Sequence, residues 1–143
     1  MNELEFYKDL YKSTDIGYDA ITRLMPKVHN ERLRHDMALH MSGYCHFFKM
    51  AKEYLNGVNE EVKDRSTVSR LPAHIGMTMH TMFDSSPAHI AELMINGSNL
   101  SILDMRRRLN RLREQSGTEE AATLCQRVID FEQDNVKRMQ KYI

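Results

Sequence analysis

The sequence of 143 residues lacks most of the features from which a function is commonly inferred. It has no tryptophan and only two cysteines, Cys45 and Cys125, which are too far apart to form the CxxC motif of a zinc or redox site. Lysine plus arginine and aspartate plus glutamate both total 20, so the charge balance favours neither nucleic acid nor an anionic membrane. We therefore expect buried cysteines, no nucleic-acid partner and no membrane partner.

Long apolar runs and targeting segments are also missing. No stretch of roughly 18 consecutive apolar residues occurs, and no charged N-terminal region precedes an apolar one. We expect a cytoplasmic protein. With 41% hydrophobic and 28% charged residues, residues 1–143 are expected to fold as a single domain around one core.

The motifs of nucleophilic catalysis and phosphate binding are absent as well. There is no glycine-rich phosphate loop and no Gly-x-Ser-x-Gly elbow. Cys45 precedes His46, but adjacent residues of a helix point about 100° apart and do not form a catalytic dyad. The sequence therefore predicts no catalytic residues and favours a protein that is not an enzyme.

Helical periodicity is present along most of the chain. Apolar residues recur at i, i+3, i+4 and i+7 in four long segments, each roughly 26 to 29 residues or about 40 Å long. The start signals are Asn2 with Glu5, Asn30, Ser86 with Pro87, and Thr118. The stop signals are Pro26, which should end the helix near His29, then Asn56-Gly57 and Ser116-Gly117.

A shorter helix, the third of five, is expected between the second and the next long one. Ser69 can cap it and Pro72 falls in its first turn, after a polar loop from Val58 to Thr67. The alternative is one unbroken helix as far as Gln115. With the short helix as a crossover, helices one and two form a hairpin, helices four and five form another, and helix four runs parallel to helix two.

This helix order and the segment SPAHIAELMINGS at residues 86–98 resemble the ferritin-like superfamily, in particular small bacterial ferritin-like proteins of unassigned function. The resemblance covers nearly the whole chain. It implies an all-α, ferritin-like four-helix bundle with a short helical crossover between helices two and four. The characterised ferritin-like families imply a di-iron or di-manganese centre with oxidase, storage or peroxide-handling activity.

Those families hold their metals with a glutamate from each of two helices and a Glu-x-x-His motif from each of the other two. This sequence contains no Glu-x-x-His. The nearest metal-ligating side chains are Asp36, His40, His89, Glu92 and Glu132.

Several polar residues of the helical stripes are expected at one depth. Counting turns places together Tyr18, His40, Asn96, Asn99 and Glu132, with Glu92 about one turn away. One interpretation is a hydrogen-bonded layer that fixes the register of the helices. A second is one iron, manganese or zinc ion bound by His40, Glu92 and Glu132, with Asp36 or His89 as a further ligand. A third is a small-molecule pocket in the bundle interior.

Two other clusters have a structural and a functional interpretation. Met77, Met79, His80 and Met82 offer thioether and imidazole ligands for cuprous copper, but they also suit helix packing. The basic run RRRLNRLR at residues 106–113 is either a solvated helix face or a site for an anionic partner.

The favoured interpretation is a cytosolic ferritin-like bundle that lacks the usual dinuclear centre, binds no metal cofactor and has a binding or structural role. The alternative is a metal-binding ferritin-like protein with an irregular iron or manganese site that acts in redox chemistry or storage. Phe6, Phe83 and Phe131 lie outside the main stripes, so a homo-oligomer, specifically a dimer, is expected.

Overall fold

The computed structural model describes residues 1–62 and 84–143, which form four long α-helices. They are α1 (Glu3–Leu24), α2 (Glu31–Gly57), α3 (Pro87–Arg113) and α4 (Glu119–Gln140), with a 3-10 turn at Met25–Lys27. These correspond to the predicted helices one, two, four and five. No strand occurs in the two described segments, which confirms the all-α class there. Among the same residues, no helix combines the length and the hydropathy that crossing a membrane needs.

The helices begin at the capping residues that the sequence indicates. Asn2 and Glu5 form a capping box, in which each side chain accepts a hydrogen bond from the backbone amide of the other residue. Asn30 and Ser86 each accept a hydrogen bond from the amide of the third residue after them. Pro26 lies in the 3-10 turn, and α1 ends just before that turn, several residues earlier than predicted.

Thr118 has a different role from the one predicted. It precedes α4, but its side chain makes no capping hydrogen bond to that helix. Its Oγ1 lies 2.5 Å from the carbonyl oxygen of Leu112 and 2.6 Å from that of Gln115, so the hydroxyl donates to the end of α3. Gly117 has a φ of +81°, a left-handed conformation that glycine adopts without a steric penalty. The hydroxyl of Thr118 therefore closes α3, whereas its backbone carbonyl begins α4 by accepting a hydrogen bond from the amide of Ala122 at 2.8 Å.

The contacts between helices define their directions. α1 packs chiefly against α2, and α3 against α4, as two antiparallel hairpins with short links. Asp36 near the start of α2 meets Tyr142 just after α4, whereas Phe47 farther along α2 packs on Phe131 in the middle of α4. α2 and α4 are therefore antiparallel. Because α3 is also antiparallel to α4, α2 and α3 run in the same direction.

Some predictions fall on residues outside those described. They concern the short crossover helix capped by Ser69, the possible copper ligands Met77, Met79, His80 and Met82, and Phe83 of the expected dimer face. These stay predictions. The alternative of one unbroken helix as far as Gln115 is wrong, because residues 84–86 are not helical and α3 begins at Pro87.

The buried apolar residues form two clusters, one toward each end of the helices. On α2, Phe47 belongs to the first cluster and Met37 to the second; on α4, Ile129 belongs to the first and Met139 to the second. The residues between these positions include buried polar side chains. The middle of the packing is therefore polar, whereas the regions on both sides of it are apolar.

Two of the residues expected to mark a dimer face, Phe6 and Phe131, are part of the packing. Phe6 is fully buried, and Phe131 packs edge-on against Phe47. The buried face of α1 is wider than the predicted stripe and includes Phe6. Helical spacing from Met139 would also put Ile143 on the inner face, but Ile143 is 66% exposed because α4 ends at Gln140. Self-association stays a prediction, but Phe6 and Phe131 no longer support it.

Replacing two helical glycines by alanine should change the stability of the fold in opposite directions. A Cβ at Gly43 would overlap the ring of Phe131, whereas a Cβ at Gly97 would meet nothing within 4 Å. We expect Gly43→Ala to lower the free energy of unfolding by about 1–3 kcal/mol because of overpacking. Gly97→Ala should raise it by about 0.5–1 kcal/mol, since alanine loses less backbone entropy in a helix. Urea unfolding measures both, and a shift of the same sign in both variants would contradict this packing.

Candidate functional site

Four side chains from three helices meet in the middle of the packing. They are His40 and Tyr44 of α2, Ser98 of α3 and Glu132 of α4, and we call them the buried polar cluster. The Tyr44 hydroxyl donates to Oε1 of Glu132 at 2.5 Å, and the Ser98 hydroxyl donates to Oε2 at 2.7 Å. Nε2 of His40 lies 3.2 Å from the same Oε2. The carboxylate of Glu132 is thus the centre of the cluster.

Two glycines make room for these side chains. A Cβ at Gly17 of α1 would lie 2.8 Å from Cε2 and Cζ of Tyr44, so only glycine lets this ring approach α1 so closely. Gly43 gives the same room to the ring of Phe131, which packs edge-on against His40 with centroids 5.4 Å apart. His40 and Tyr44 are four residues apart and so lie on one face of α2.

The environment keeps Glu132 charged and Tyr44 protonated. Burial alone would raise the pKa of Glu132, but the electrostatic attraction of His40, with the hydroxyls of Tyr44 and Ser98, outweighs burial and lowers it. Burial, followed by the charge of Glu132, raises the pKa of Tyr44 well above its ordinary value. The phenol therefore remains a hydrogen-bond donor to a carboxylate at neutral pH.

His40 is the member of the cluster with unmet hydrogen-bonding capacity. It is 2% exposed, yet neither Nδ1 nor Nε2 has a hydrogen-bond partner. The 3.2 Å from Nε2 to Oε2 of Glu132 is close enough for electrostatic attraction, but this contact is not an aligned hydrogen bond. Leaving a buried polar group unpaired costs about 1–3 kcal/mol. Such a group therefore points to a missing partner.

A cavity of about 480 Å³ between α1 and α3 reaches this cluster. Most of its wall is aliphatic, with Ile21 from α1 and Met94 from α3 as examples. His40, Tyr44 and Ser98 also line it, and all three are buried, so they form its inner end. The volume lies within the range of about 300–1,000 Å³ that is common for small-molecule sites.

The structure does not gather the five predicted metal ligands. His40 and Glu132 lie together as predicted. Glu92 instead has a side chain that is 59% exposed, and its Oε2 lies 3.8 Å from Nδ1 of His89, one turn away on α3. Asp36 instead contacts Lys141 and Tyr142, which follow α4. Within residues 1–62 and 84–143, no three His, Cys, Asp or Glu side chains are arranged to hold a metal ion.

The membership of the polar layer differs from the prediction. Asn96 and Asn99 are exposed, whereas Ser98 takes the inward position between them. Ser98 stands at helical spacing between Ile95 and Ile102, so the apolar periodicity contained the signal. Tyr44 was not among the residues predicted for the layer. Asn135, which was not singled out, is fully buried and accepts a hydrogen bond from the Arg138 side chain at 2.8 Å.

The two cysteines differ in burial. Cys125 is fully buried as predicted, and its thiol lies 3.2 Å from the carbonyl oxygen of Met105. Burial raises the pKa of Cys125 to about 11, so the thiol stays protonated at neutral pH. Cys45 is only partly buried, so the prediction for it was too strong.

The basic run at residues 106–113 is not a uniformly solvated face. Arg108 of α3 forms ion pairs with Asp9 of α1 and, at 2.7 Å, with Asp104 of its own helix. It therefore links α1 to α3. Arg106 and Arg107 are exposed, in agreement with the solvated interpretation.

Comparison of the chain with protein-family models, with curated proteins and with solved structures finds no match. No relative therefore assigns a ligand, a reaction or a partner, and none bears on the resemblance to the ferritin-like superfamily. The function has to be argued from the site itself.

Replacement of the buried polar cluster tests whether its members depend on each other. Glu132→Leu alone removes the acceptor of two buried hydroxyls, and we expect a loss of about 3 kcal/mol or more in the free energy of unfolding. Adding His40→Leu, Tyr44→Phe and Ser98→Ala leaves no polar group of the cluster unpaired, so most of that loss should be regained. Urea unfolding of both variants is the measurement. A quadruple variant less stable than the single one would contradict this interdependence.

The end of the chain is attached to α2 through Asp36. Its Oδ2 accepts a hydrogen bond from the Tyr142 hydroxyl at 2.5 Å and lies 2.7 Å from Nζ of Lys141. Burial alone would raise the pKa of Asp36, but these donors and the nearby positive charge outweigh it and lower the pKa. For Tyr142, burial and then the hydrogen bond to Asp36 raise the pKa to about 12.

Tyr142 should therefore titrate later than an ordinary tyrosine. Its folded pKa of about 12 lies above the value of about 10 in an unfolded chain. The hydrogen bond from Tyr142 to Asp36 therefore makes its full contribution to the free energy of unfolding below about pH 10. This contribution is lost as the pH rises to about 12. Subtracting the tyrosinate absorbance titration of Tyr142→Phe from that of the native protein isolates this residue. A midpoint near 10 in the difference curve would show that the contact with Asp36 is not made.

Proposed function

We propose that this chain is a small-molecule binding protein built on a ferritin-like four-helix bundle, without a dinuclear metal centre and without a catalytic role. One observation carries the proposal: a mainly apolar cavity ends at His40, a buried residue whose ring nitrogens have no hydrogen-bond partner. Binding sites commonly combine apolar walls with a few convergent polar groups. A ligand that hydrogen-bonds to His40 offsets the cost of burying that residue.

The ferritin-like part of the proposal is supported by helix lengths and directions. The four helices have 22, 27, 27 and 22 residues, and α2 runs parallel to α3, so the end of α2 and the start of α3 lie at opposite ends of the bundle. The buried polar cluster lies at the middle of the helices, where di-metal bundles hold their ligands, but Glu132 is its one carboxylate. We also propose a cytoplasmic location and a dimeric state, which cell fractionation and analytical ultracentrifugation test.

The binding proposal is tested with N-phenyl-1-naphthylamine, a neutral apolar probe that fluoresces more strongly outside water. We expect saturable binding to the native protein at one site. Ala20→Phe places a ring at the cavity wall and should weaken binding by about tenfold or more, because the added volume competes with the probe. Lys12→Phe, at an exposed position of the same helix, is the matched control and should leave binding within about twofold.

Urea unfolding of both variants shows whether each is folded. Saturable binding that Ala20→Phe and Lys12→Phe affect equally would place the probe elsewhere and contradict the proposed site. Absence of saturable binding to the native protein would contradict the proposal as a whole.

A metal ion at His40 and Glu132 is the second candidate. It is favoured by the two unpaired nitrogens of His40 beside a buried carboxylate, since imidazole and carboxylate are ligands of iron, manganese and zinc. The test is the metal content, by mass spectrometry, of untagged protein purified without chelator from cells supplied with iron and manganese. Stoichiometric metal that a His40→Ala, Glu132→Ala variant loses would support this candidate. Metal-free, folded native protein would exclude it.

A further inference from the structure

The chemistry of the cavity restricts the class of ligand, an inference that rests on the proposed binding function. We infer that the cavity takes an uncharged, mainly apolar molecule with one hydroxyl group, an alcohol or a phenol, and that this hydroxyl is seated against His40. Three observations support it: the nature of the walls, the balance of charge around the cavity, and the hydrogen-bonding groups that remain free at its inner end.

The walls suit a hydrocarbon or aromatic body. Ile21 and Leu24 of α1 line the cavity together with Leu93, Met94 and Met105 of α3. Contact with these side chains removes apolar ligand surface from water, the main favourable term in binding of this kind. The two methionines are unbranched and flexible, so the wall can adapt to ligands of somewhat different shape.

The charges around the cavity are already compensated. Asp104 is the one carboxylate among the described lining residues, and its Oδ2 accepts hydrogen bonds from Nε and Nη2 of Arg108 at 3.1 and 2.7 Å. No lysine or arginine occurs among those lining residues. Next to the inner end, the two carboxylate oxygens of Glu132 accept hydrogen bonds from Tyr44 and Ser98, and Nε2 of His40 lies 3.2 Å from one of them. A charged ligand would lose its hydration without gaining a free opposite charge, and an anion would also face the carboxylate of Glu132.

At the inner end, His40 differs from its neighbours because none of its hydrogen-bonding atoms has a partner. Tyr44 and Ser98 both direct their hydroxyl protons to Glu132. His40 has two ring nitrogens without partners, and which of them carries a proton depends on its tautomer. A ligand hydroxyl both donates and accepts, so it pairs with His40 in either tautomer. An ether or ketone oxygen only accepts and lacks this match.

The test compares three eight-carbon compounds that differ in the head group: 1-octanol, octanoate and octylammonium. Each competes at neutral pH with N-phenyl-1-naphthylamine for the native protein. We expect 1-octanol to displace the probe at a concentration about tenfold or more below that of either charged compound. His40→Phe keeps a ring at the inner end but removes its hydrogen bonding. We expect this variant to lower the affinity for 1-octanol by about tenfold and the affinity for the probe by no more than about threefold.

The outcomes separate this inference from the proposed function. No saturable probe binding to the native protein would overturn both. If the probe binds saturably but octanoate or octylammonium competes as effectively as 1-octanol, only the inferred ligand class is overturned. The comparison in the native protein does not depend on the folding of any variant. In folded His40→Phe, unchanged 1-octanol affinity would also overturn the contact with His40.

Discussion

The fully buried carboxylate of Glu132 is the constraint on which the rest of the structure depends. Removing such a charge from water costs several kcal/mol unless hydrogen bonds and a nearby opposite charge replace the lost hydration. The replacements come from Tyr44 on α2 and Ser98 on α3, with His40 close by. Because these donors must reach one point, three helices are held in one relative register. Apolar side chains on both sides of this layer fill space but discriminate less between registers, since their contacts are not directional.

The position of the cavity follows from which helices this carboxylate joins. Its hydrogen bonds connect α2, α3 and α4, whereas α1 packs mainly on α2 and provides the space at Gly17 that the Tyr44 ring occupies. The boundary between α1 and α3 lies outside this network. Toward one end of that boundary, Arg108 on α3 pairs with Asp9 on α1. Farther along, the two helices stand apart enough to enclose the cavity. The arrangement that fixes the register thus also leaves an accessible space beside the polar layer.

Structural features that depend on residues close together in the chain were predictable from the sequence. Features that depend on the rotation of each helix about its axis were less predictable. The caps at Asn2, Asn30 and Ser86 involve residues three apart, so the chain near each of them determines the outcome. His40 and Glu132 were recognisable because a polar residue at the centre of an apolar stripe needs a partner. Their actual partners were not, because a small error in the rotation of a helix exchanges neighbours about 100° apart. Asn99, the direct neighbour of Ser98, was predicted inside, whereas the structure places Ser98 there and exposes both Asn99 and Asn96.

The hydrogen bonds within the cluster distinguish a purely structural layer from a binding site. A layer that only fixes register accounts for Glu132, Tyr44 and Ser98, each of which has its hydrogen bonds made inside the protein. It accounts for His40 only in part, because the attraction to Glu132 explains the position of Nε2 but leaves both ring nitrogens without a hydrogen bond. Since His40 also lines the cavity, a ligand in that cavity explains this residue, and the structural role explains the other three.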